Sequence, residues 1–291
     1  MPSGQSVRVT QPPRVNGTMN GGVAHEGHEN LAAADDAIST PTAPGRRSIK
    51  RAAELFAIDE WGSDSEFVEK AWSTHSEPAA AFMSIAVSRW HIVVTTQREV
   101  TQLTLRGPET RATVTPIPAG VEFFGIVFSL GTFMPAVPLA GLVDRAVTLP
   151  AATPNSVWLD GSRWEVPTAG NADVFVDRLV RQGLIVRDPI VAQSFHDDVD
   201  GVSTRTLQRR VVRATGLTRS TIRQIARAEK AVEALGKGMS PPDTALMLGY
   251  ADQAHLIRSL KRFIGQTPGQ INPGDHWSIA SPLRPHSSGD R

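Results

Sequence analysis

The sequence of 291 residues contains no cysteine. This absence excludes structural disulfides, thiolate-zinc sites, thiol redox sensing and any cysteine nucleophile. It also fits a reducing compartment, so we expect a cytoplasmic protein.

Long apolar runs are missing as well. No run approaches the roughly 20 residues that a membrane-spanning helix needs, and the N-terminus lacks the basic-then-apolar order of a signal peptide. We therefore expect no membrane partner.

Catalytic signatures are equally scarce. The sequence has no Gly-x-Ser-x-Gly elbow, no phosphate-cradling glycine loop and no constellation of metal ligands. His25 and His28 have a spacing that could hold a metal, but they lie in residues 1–45, which are rich in Gly, Pro, Ser, Thr, Asn and Ala and predict a disordered N-terminal tail. We expect neither an enzyme nor a bound metal or cofactor. Residues 275–291 have a similar composition and predict a flexible C-terminal tail.

Charge divides the chain into two parts. Residues 201–271 hold twelve Lys/Arg against four Asp/Glu, whereas residues 1–200 hold sixteen against twenty-three, so the overall charge of +1 conceals a strongly basic C-terminal module. A cluster of cations is typical of a protein that binds phosphates, although a solvated basic face has the same composition.

Residues 46–170 consist of short β-type runs separated by Gly and Pro. Six strands at this spacing predict a β-rich domain, either a sandwich or a barrel. The runs are 82–87, 90–95, 100–105, 111–115, 121–130 and 143–149.

The pattern becomes helical at residue 171, where we place the start of an all-α domain that extends to residue 274. The spacing predicts a helix over 171–182, ended by Gly183. Its shared apolar face is expected to comprise Val174, Phe175, Leu179 and Val180.

The most specific pattern is a helix-turn-helix over residues 240–263. Ser240 and Pro241 suit a helix start, Gly249 suits a tight turn, and Asp252 can cap a second helix. In that second helix the apolar and polar side chains separate onto two faces. The apolar face holds Leu256, Leu260 and Phe263, and the opposite face holds His255, Arg258 and Arg262.

The polar face of this helix suits DNA chemically. Arg can make a bidentate contact to guanine and Gln to adenine, whereas Lys suits phosphate. Gln253, His255 and Arg258 are therefore candidates for reading bases and Lys261 for binding phosphate. The alternative is an amphipathic helix whose polar face is merely solvated.

A similar unit precedes it by about fifty residues. Asp188 and Pro189 can open a short helix, and Ser203 can cap a second one that ends at residues 215–218. Arg205, Gln208 and Arg209 project from one face of that helix. Residues 221–235 predict a further helix that joins the two units.

These residues resemble the AraC/XylS family of transcription regulators over about 187–271. The matching text is STRTLQRR at 203–210, ATGLT at 214–218, and LGYADQAHLIRSLKRFIGQTP at 248–268 after Ala245. The resemblance implies a sequence-specific regulator that inserts two recognition helices into consecutive major-groove segments of a promoter.

The resemblance also implies site residues by position. The residues expected at bases are Arg205, Gln208, Arg209, Gln253, His255 and Arg258. The residues expected at phosphates are Ser203, Thr206, Arg210, Ser259, Lys261 and Arg262. One departure is the turn at 196–202, which is longer and more acidic than is usual in the family and would repel phosphate.

The N-terminal domain has three alternative roles. The family layout implies a cupin-like barrel that binds a small-molecule effector, with double-stranded promoter DNA and RNA polymerase as the other partners of a nucleoid-associated bacterial protein. The domain could instead only form a homodimer, or be an enzyme tethered to DNA.

Two sets of residues bear on these roles. His75 and His91 are isolated, so a metal cupin is not expected. Four tryptophans could line an apolar pocket, although large aromatics are ordinarily core residues. They are Trp72, Trp90, Trp158 and Trp164.

Overall fold

The computed structural model describes residues 58–77, 79–196, 200–272 and 280–282. The predicted N-terminal tail and three residues of the acidic turn, Asp197 to Val199, lie outside these residues. The same is true of the predicted C-terminal tail apart from 280–282.

The N-terminal part is built on a six-stranded antiparallel sheet in the order β1-β2-β7-β4-β5-β9. Its strands are β1 Ile58–Trp61, β2 Val68–Ser76, β4 His91–Gln97, β5 Val100–Arg106, β7 Val121–Phe128 and β9 Ala146–Thr148. A three-stranded sheet consists of β14 Ala280–Pro282, β3 Ala80–Ser84 and β6 Thr113–Ile117. The smaller ladders join β8 Thr132–Phe133 to β13 Val186–Arg187, and β10 Ala151–Thr153 to β11 Ser156–Leu159 and β12 Ser162–Glu165.

The two faces of the large sheet are occupied differently because successive side chains of a strand point to opposite sides. Ile92 and Val94 of β4, with Ile126 of β7, belong to the main apolar core. Val93 instead packs with Trp72 and Val127 in a separate cluster on the other face.

Among the described residues, six α-helices follow in the C-terminal part. They are α1 Ala172–Arg181, α2 Pro189–Gln193, α3 Thr204–Thr215, α4 Arg219–Gly236, α5 Pro241–Met247 and α6 Gln253–Phe263. The predicted class, a β-rich part followed by a helical part, is therefore confirmed.

The six predicted strands correspond to β3, β4, β5, β6, β7 and β9, with ends shifted by a few residues. β2 was missed because Glu69, Lys70 and its hydroxyl residues obscure the alternation, although it pairs along its length with β7. β10 to β12 are too short to give a clear pattern. β14 lies within the predicted C-terminal tail and forms a strand by pairing with β3.

Two expectations about side chains need correction. Val174 is 65% exposed, and Val176 takes its place on the buried face of α1. Trp158 is also exposed, whereas Trp90 and Trp164 are core residues. Trp72 lines a cavity.

The helical part packs directly on the strands. The amide of Ala86 donates to the carbonyl of Phe263 at 2.7 Å, and the amide of Ala112 donates to that of Arg262 at 2.8 Å. A single apolar cluster contains side chains from both parts. The last turn of α6 is therefore held to the β-rich part by main-chain hydrogen bonds.

Candidate nucleic-acid interface

The first helix pair is α2 and α3. Asp188 caps α2, and the Ser203 hydroxyl caps α3 by accepting from the amide of Thr206 at 3.2 Å. Gly216 ends α3 with a φ of +72°, in the left-handed region that favours glycine. Leu207 and Val211 fix the orientation of α3 because they are buried beneath it.

The outer face of α3 is strongly cationic. Arg205, Gln208 and Arg209 are exposed together on it, as the sequence predicted from their spacing. Helix α3 contains four arginines and no acidic residue. Ser203 and Thr206 are also exposed, at its N-terminus, where amide groups favour phosphate.

Arg210, next to this array, has an acidic partner. Its guanidinium makes two hydrogen bonds to the Asp188 carboxylate, at 2.8 and 3.1 Å. The hydrogen bonds and charge of Asp188 raise the pKa of Arg210, so the residue stays charged but is already paired. The assignment of Arg210 to phosphate stays a prediction; in this structure its guanidinium links α3 to the start of α2.

The second helix pair is α5 and α6. Ser240 caps α5, and Asp252 caps α6 by accepting from the amide of His255 at 2.6 Å. Gly249 makes the turn between the helices with a φ of +68°. The predicted apolar face of α6 is buried, since Leu256 and Leu260 are wholly inaccessible.

The outer face of α6 presents Gln253, Arg258, Lys261 and Arg262, all exposed. Like α3, this helix has no acidic residue. His255 is only half-buried and packs edge-on against Tyr250, with ring centroids 5.2 Å apart. Its Nδ1 accepts from the amide of Ala251 at 3.4 Å, so Nε2 is the ring nitrogen left for another partner.

Ser259 does not belong to this outer face. It is 9% exposed, and its hydroxyl lies 3.3 Å from the Tyr250 hydroxyl. In this structure the Ser259 hydroxyl makes an internal contact, and its assignment to phosphate stays a prediction.

Helix α4 adds cations that the sequence reasoning missed. A groove of about 490 Å³ between α3 and α4 is lined by Arg219, Arg223 and Arg227, spaced four residues apart on one face of α4. The i, i+4, i+8 spacing was visible in the sequence, but the helix was interpreted only as a connector.

Two of these arginines have structural partners. Arg227 donates to the Gly249 carbonyl at 3.2 Å and lies 4.4 Å over the Tyr250 ring, which connects α4 to the turn of the second pair. Arg219 donates to the Ser194 carbonyl beyond α2. Arg223 is exposed and is the member of the set best placed for an external anion.

Across the described ranges there is no cluster of three His, Asp or Glu residues that could hold a metal ion. Within the same ranges no helix has both the length and the apolar character needed to cross a bilayer. The described residues of the C-terminal part present two cationic helix faces.

Comparisons with known proteins agree on the C-terminal part. Residues 199–272 match a family model described as a helix-turn-helix domain. The HTH-type transcriptional regulator RipA of Corynebacterium glutamicum is 31% identical over 93 residues. That match covers 31% of this chain and 28% of RipA, so the chain spans little more than a quarter of its relative.

Two solved structures of ToxT from Vibrio cholerae are also similar. The first is 9% identical, covers 74% of this chain and 97% of ToxT, and has a TM-score of 0.33. The second, an apo variant, is 8% identical, covers 74% and 96%, and has a TM-score of 0.30.

Proposed function

We propose that this protein is a sequence-specific DNA-binding transcription regulator. The premise is that residues 199–272 are a helix-turn-helix domain of the AraC type. Helices α3 and α6 enter consecutive major-groove segments of a promoter site, and the β-rich part tunes that binding.

One observation carries the proposal. Two separate helices each have a buried apolar face, a capped N-terminus and an exposed face with Arg and Gln and no acid, to which α6 adds Lys261. A face of this kind lowers the free energy of binding to a phosphate backbone by releasing counterions, and its Arg and Gln side chains can distinguish bases.

The roles follow from the exposed side chains. Arg205, Gln208 and Arg209 on α3, with Gln253 and Arg258 on α6, are the proposed base contacts. His255 is a weaker candidate, because only Nε2 remains for a base. The proposed phosphate contacts are Ser203, Thr206, Arg223, Lys261 and Arg262.

The test begins with selection of binding sites by the full-length protein from random-sequence DNA duplexes. Affinities of Arg258→Ala and Lys261→Ala are then measured on the selected site, on its single-base variants and on random DNA, at two salt concentrations. These residues are a matched pair, since both are exposed cations on α6.

We expect Arg258→Ala to lose about 1–3 kcal/mol on the selected site and to relax discrimination at one base position. Lys261→Ala should weaken binding to all sequences alike and reduce the salt slope by about one. Equal losses on specific and random DNA for Arg258→Ala would show that it does not read a base. Failure to enrich any sequence would refute a sequence-specific regulator.

Control by the β-rich part is proposed because Ala86 and Ala112, which adjoin β3 and β6, donate main-chain hydrogen bonds to the last turn of α6. A change in those strands reaches the second helix pair without an intervening flexible linker. A contact with RNA polymerase and the pairing of two copies of the chain on DNA are both compatible with this arrangement. Crosslinking of the DNA complex would count the bound copies.

A further inference from the structure

The groove between α3 and α4 is concave, with a volume of about 490 Å³. That volume lies within the range of about 300–1,000 Å³ that is typical of small-molecule sites. Leu207, which is 8% exposed, lines the groove from α3. The phosphates of a stiff DNA duplex are reached by side chains that protrude, so a recess between two helices is better suited to a smaller ligand.

The groove is strongly cationic. Arg219, Arg223 and Arg227 recur every four residues of α4, so their backbone positions lie about 6 Å apart along the helix. None of the described residues that line the groove is acidic. Three positive charges exceed the charge of about −1.5 to −2 that one phosphate group carries near pH 7. The groove therefore favours an anion with two or more linked phosphate groups.

Two of the three guanidinium groups are held in place without being neutralised. Arg219 donates to the Ser194 carbonyl, and Arg227 donates to the Gly249 carbonyl at 3.2 Å. Because a carbonyl oxygen carries no net charge, both side chains keep their full positive charge. A guanidinium has five N–H donors, so each of these two arginines still has donors for a ligand.

Arg223 is the free member of the row. It is exposed, and it has no hydrogen-bond or ion-pair partner in the part of the chain that the structure describes. The Ser220 hydroxyl and the amides of Gln208 and Gln224 line the same groove. A guanidinium can bind two phosphate oxygens at once, and neutral donors of this kind add directional hydrogen bonds.

We propose that this groove binds a free oligophosphate, a compact anion with two or three linked phosphate groups such as those of a nucleoside diphosphate or triphosphate. The phosphate oxygens contact Arg223 and the remaining donors of Arg219 and Arg227. The DNA backbone offers the same chemical group, so the test must separate the two sources.

The site also has a consequence for DNA binding, which rests on the proposed function. Gln208 lines the groove and is a proposed base contact, and Arg223 is a proposed contact of the DNA backbone. An oligophosphate in the groove therefore opposes the docking of α3 on DNA. Binding of the oligophosphate itself does not depend on that role.

The probe is inorganic tripolyphosphate, titrated calorimetrically into the full-length protein without DNA, and sulfate serves as the single-centre anion for comparison. Arg223→Gln removes the free guanidinium. The matched control is Arg181→Gln, because Arg181 is an exposed arginine of α1 that does not line the groove. The two variants have the same net charge, so net charge alone cannot explain a difference between them.

We expect saturable binding of one tripolyphosphate by the native protein and by Arg181→Gln. Arg223→Gln should bind about 10–100-fold more weakly, because it loses hydrogen bonds between charged groups. Ser220→Glu keeps every arginine but places a carboxylate in the groove, and should weaken binding at least about tenfold. An acid in the first turn of α4 suits the helix, and circular dichroism confirms that each variant is folded.

Three results would overturn the proposal: no saturable binding of tripolyphosphate, equal binding by the two arginine variants, or binding of sulfate that is as tight. If Arg223→Gln weakens DNA binding but the native protein does not bind tripolyphosphate, the groove serves the DNA backbone alone and the proposal is wrong. Because DNA is absent from the titration, its result does not bear on whether α3 and α6 read DNA. Conversely, failure to select any DNA sequence would leave the oligophosphate site intact.

Discussion

Single side chains in this protein depart from what their type suggests. His91 was predicted only to be isolated from other metal ligands, yet it is 3% exposed and its Nδ1 has no hydrogen-bond partner among the described residues. The sequence could not show this, because the outer face of β4 becomes buried only when β3 and β6 pack over it. Similarly, the exposed array on α3 was predictable from spacing, whereas the pairing of Arg210 with Asp188 depends on how α2 folds back.

His91 makes stability depend on pH. The ring has a pKa near 6.5 in an unfolded chain and about 3 in the folded protein, since desolvation disfavours the charged form. Above about pH 6.5 the ring is neutral in both states and contributes no pH dependence. Below it only the unfolded chain takes up a proton, so the free energy of unfolding falls until about pH 3, by at most ~1.4 kcal/mol per pH unit.

We therefore expect His91→Gln to flatten this acid limb when the free energy of unfolding is measured by urea titration at several pH values. His75→Gln is the control, because His75 is exposed on β2. An unchanged acid slope in His91→Gln would show that other groups set it.

Helices and strands differ in how well the sequence predicts them. The helix starts at Asp188, Ser203, Ser240 and Asp252 are confirmed, since each cap is a local interaction within a few residues. Strand β2 could not be predicted as well, because its stability comes from pairing with β7, about fifty residues away.

Two glycines that end or join helices provide a test of this packing. Gly216 and Gly249 both have left-handed backbones, but a Cβ at Gly216 would lie 2.6 Å from the Leu139 carbonyl, whereas one at Gly249 meets open space. Gly249→Ala should cost about 1–2 kcal/mol of unfolding free energy from backbone strain alone.

Gly216→Ala should cost at least about 1 kcal/mol more, because it adds a backbone clash that no rotamer can relieve. Chemical denaturation of both variants measures the difference. Equal costs would mean that α3 does not press against the turn at Leu139 in solution.

At the scale of the whole molecule, the β-rich and helical parts share one core. The sequence pattern changes from strand-like to helical at the predicted boundary, residue 170, but side chains on both sides of it belong to the same apolar cluster. Sequence periodicity assigns each segment to helix or strand and contains no information about which elements meet. Whether residues 46–170 and 171–274 are separate domains stays a prediction.

The shared core predicts cooperative unfolding. Five of the six tryptophans lie between residues 61 and 164, in the β-rich part. Tryptophan fluorescence therefore follows mainly the β-rich part, whereas far-ultraviolet circular dichroism follows mainly the helices. We expect the two signals to change together in a denaturant titration.

A fluorescence transition that clearly precedes the helical one would instead indicate two independent folding units. Addition of selected DNA would then raise only the later transition.

The hydrogen bonds from Ala86 and Ala112 to the end of α6 also bear on protein engineering. A chimera that joined residues 171–274 to an unrelated sensor would expose the carbonyls of Arg262 and Phe263 and the apolar surface around Gly265, where Met83 now lies against the backbone. A successful graft would have to carry residues 83–87 and 109–112 with the helices. In this protein the natural unit of exchange is the helical part together with the segments of the β-rich part that support it.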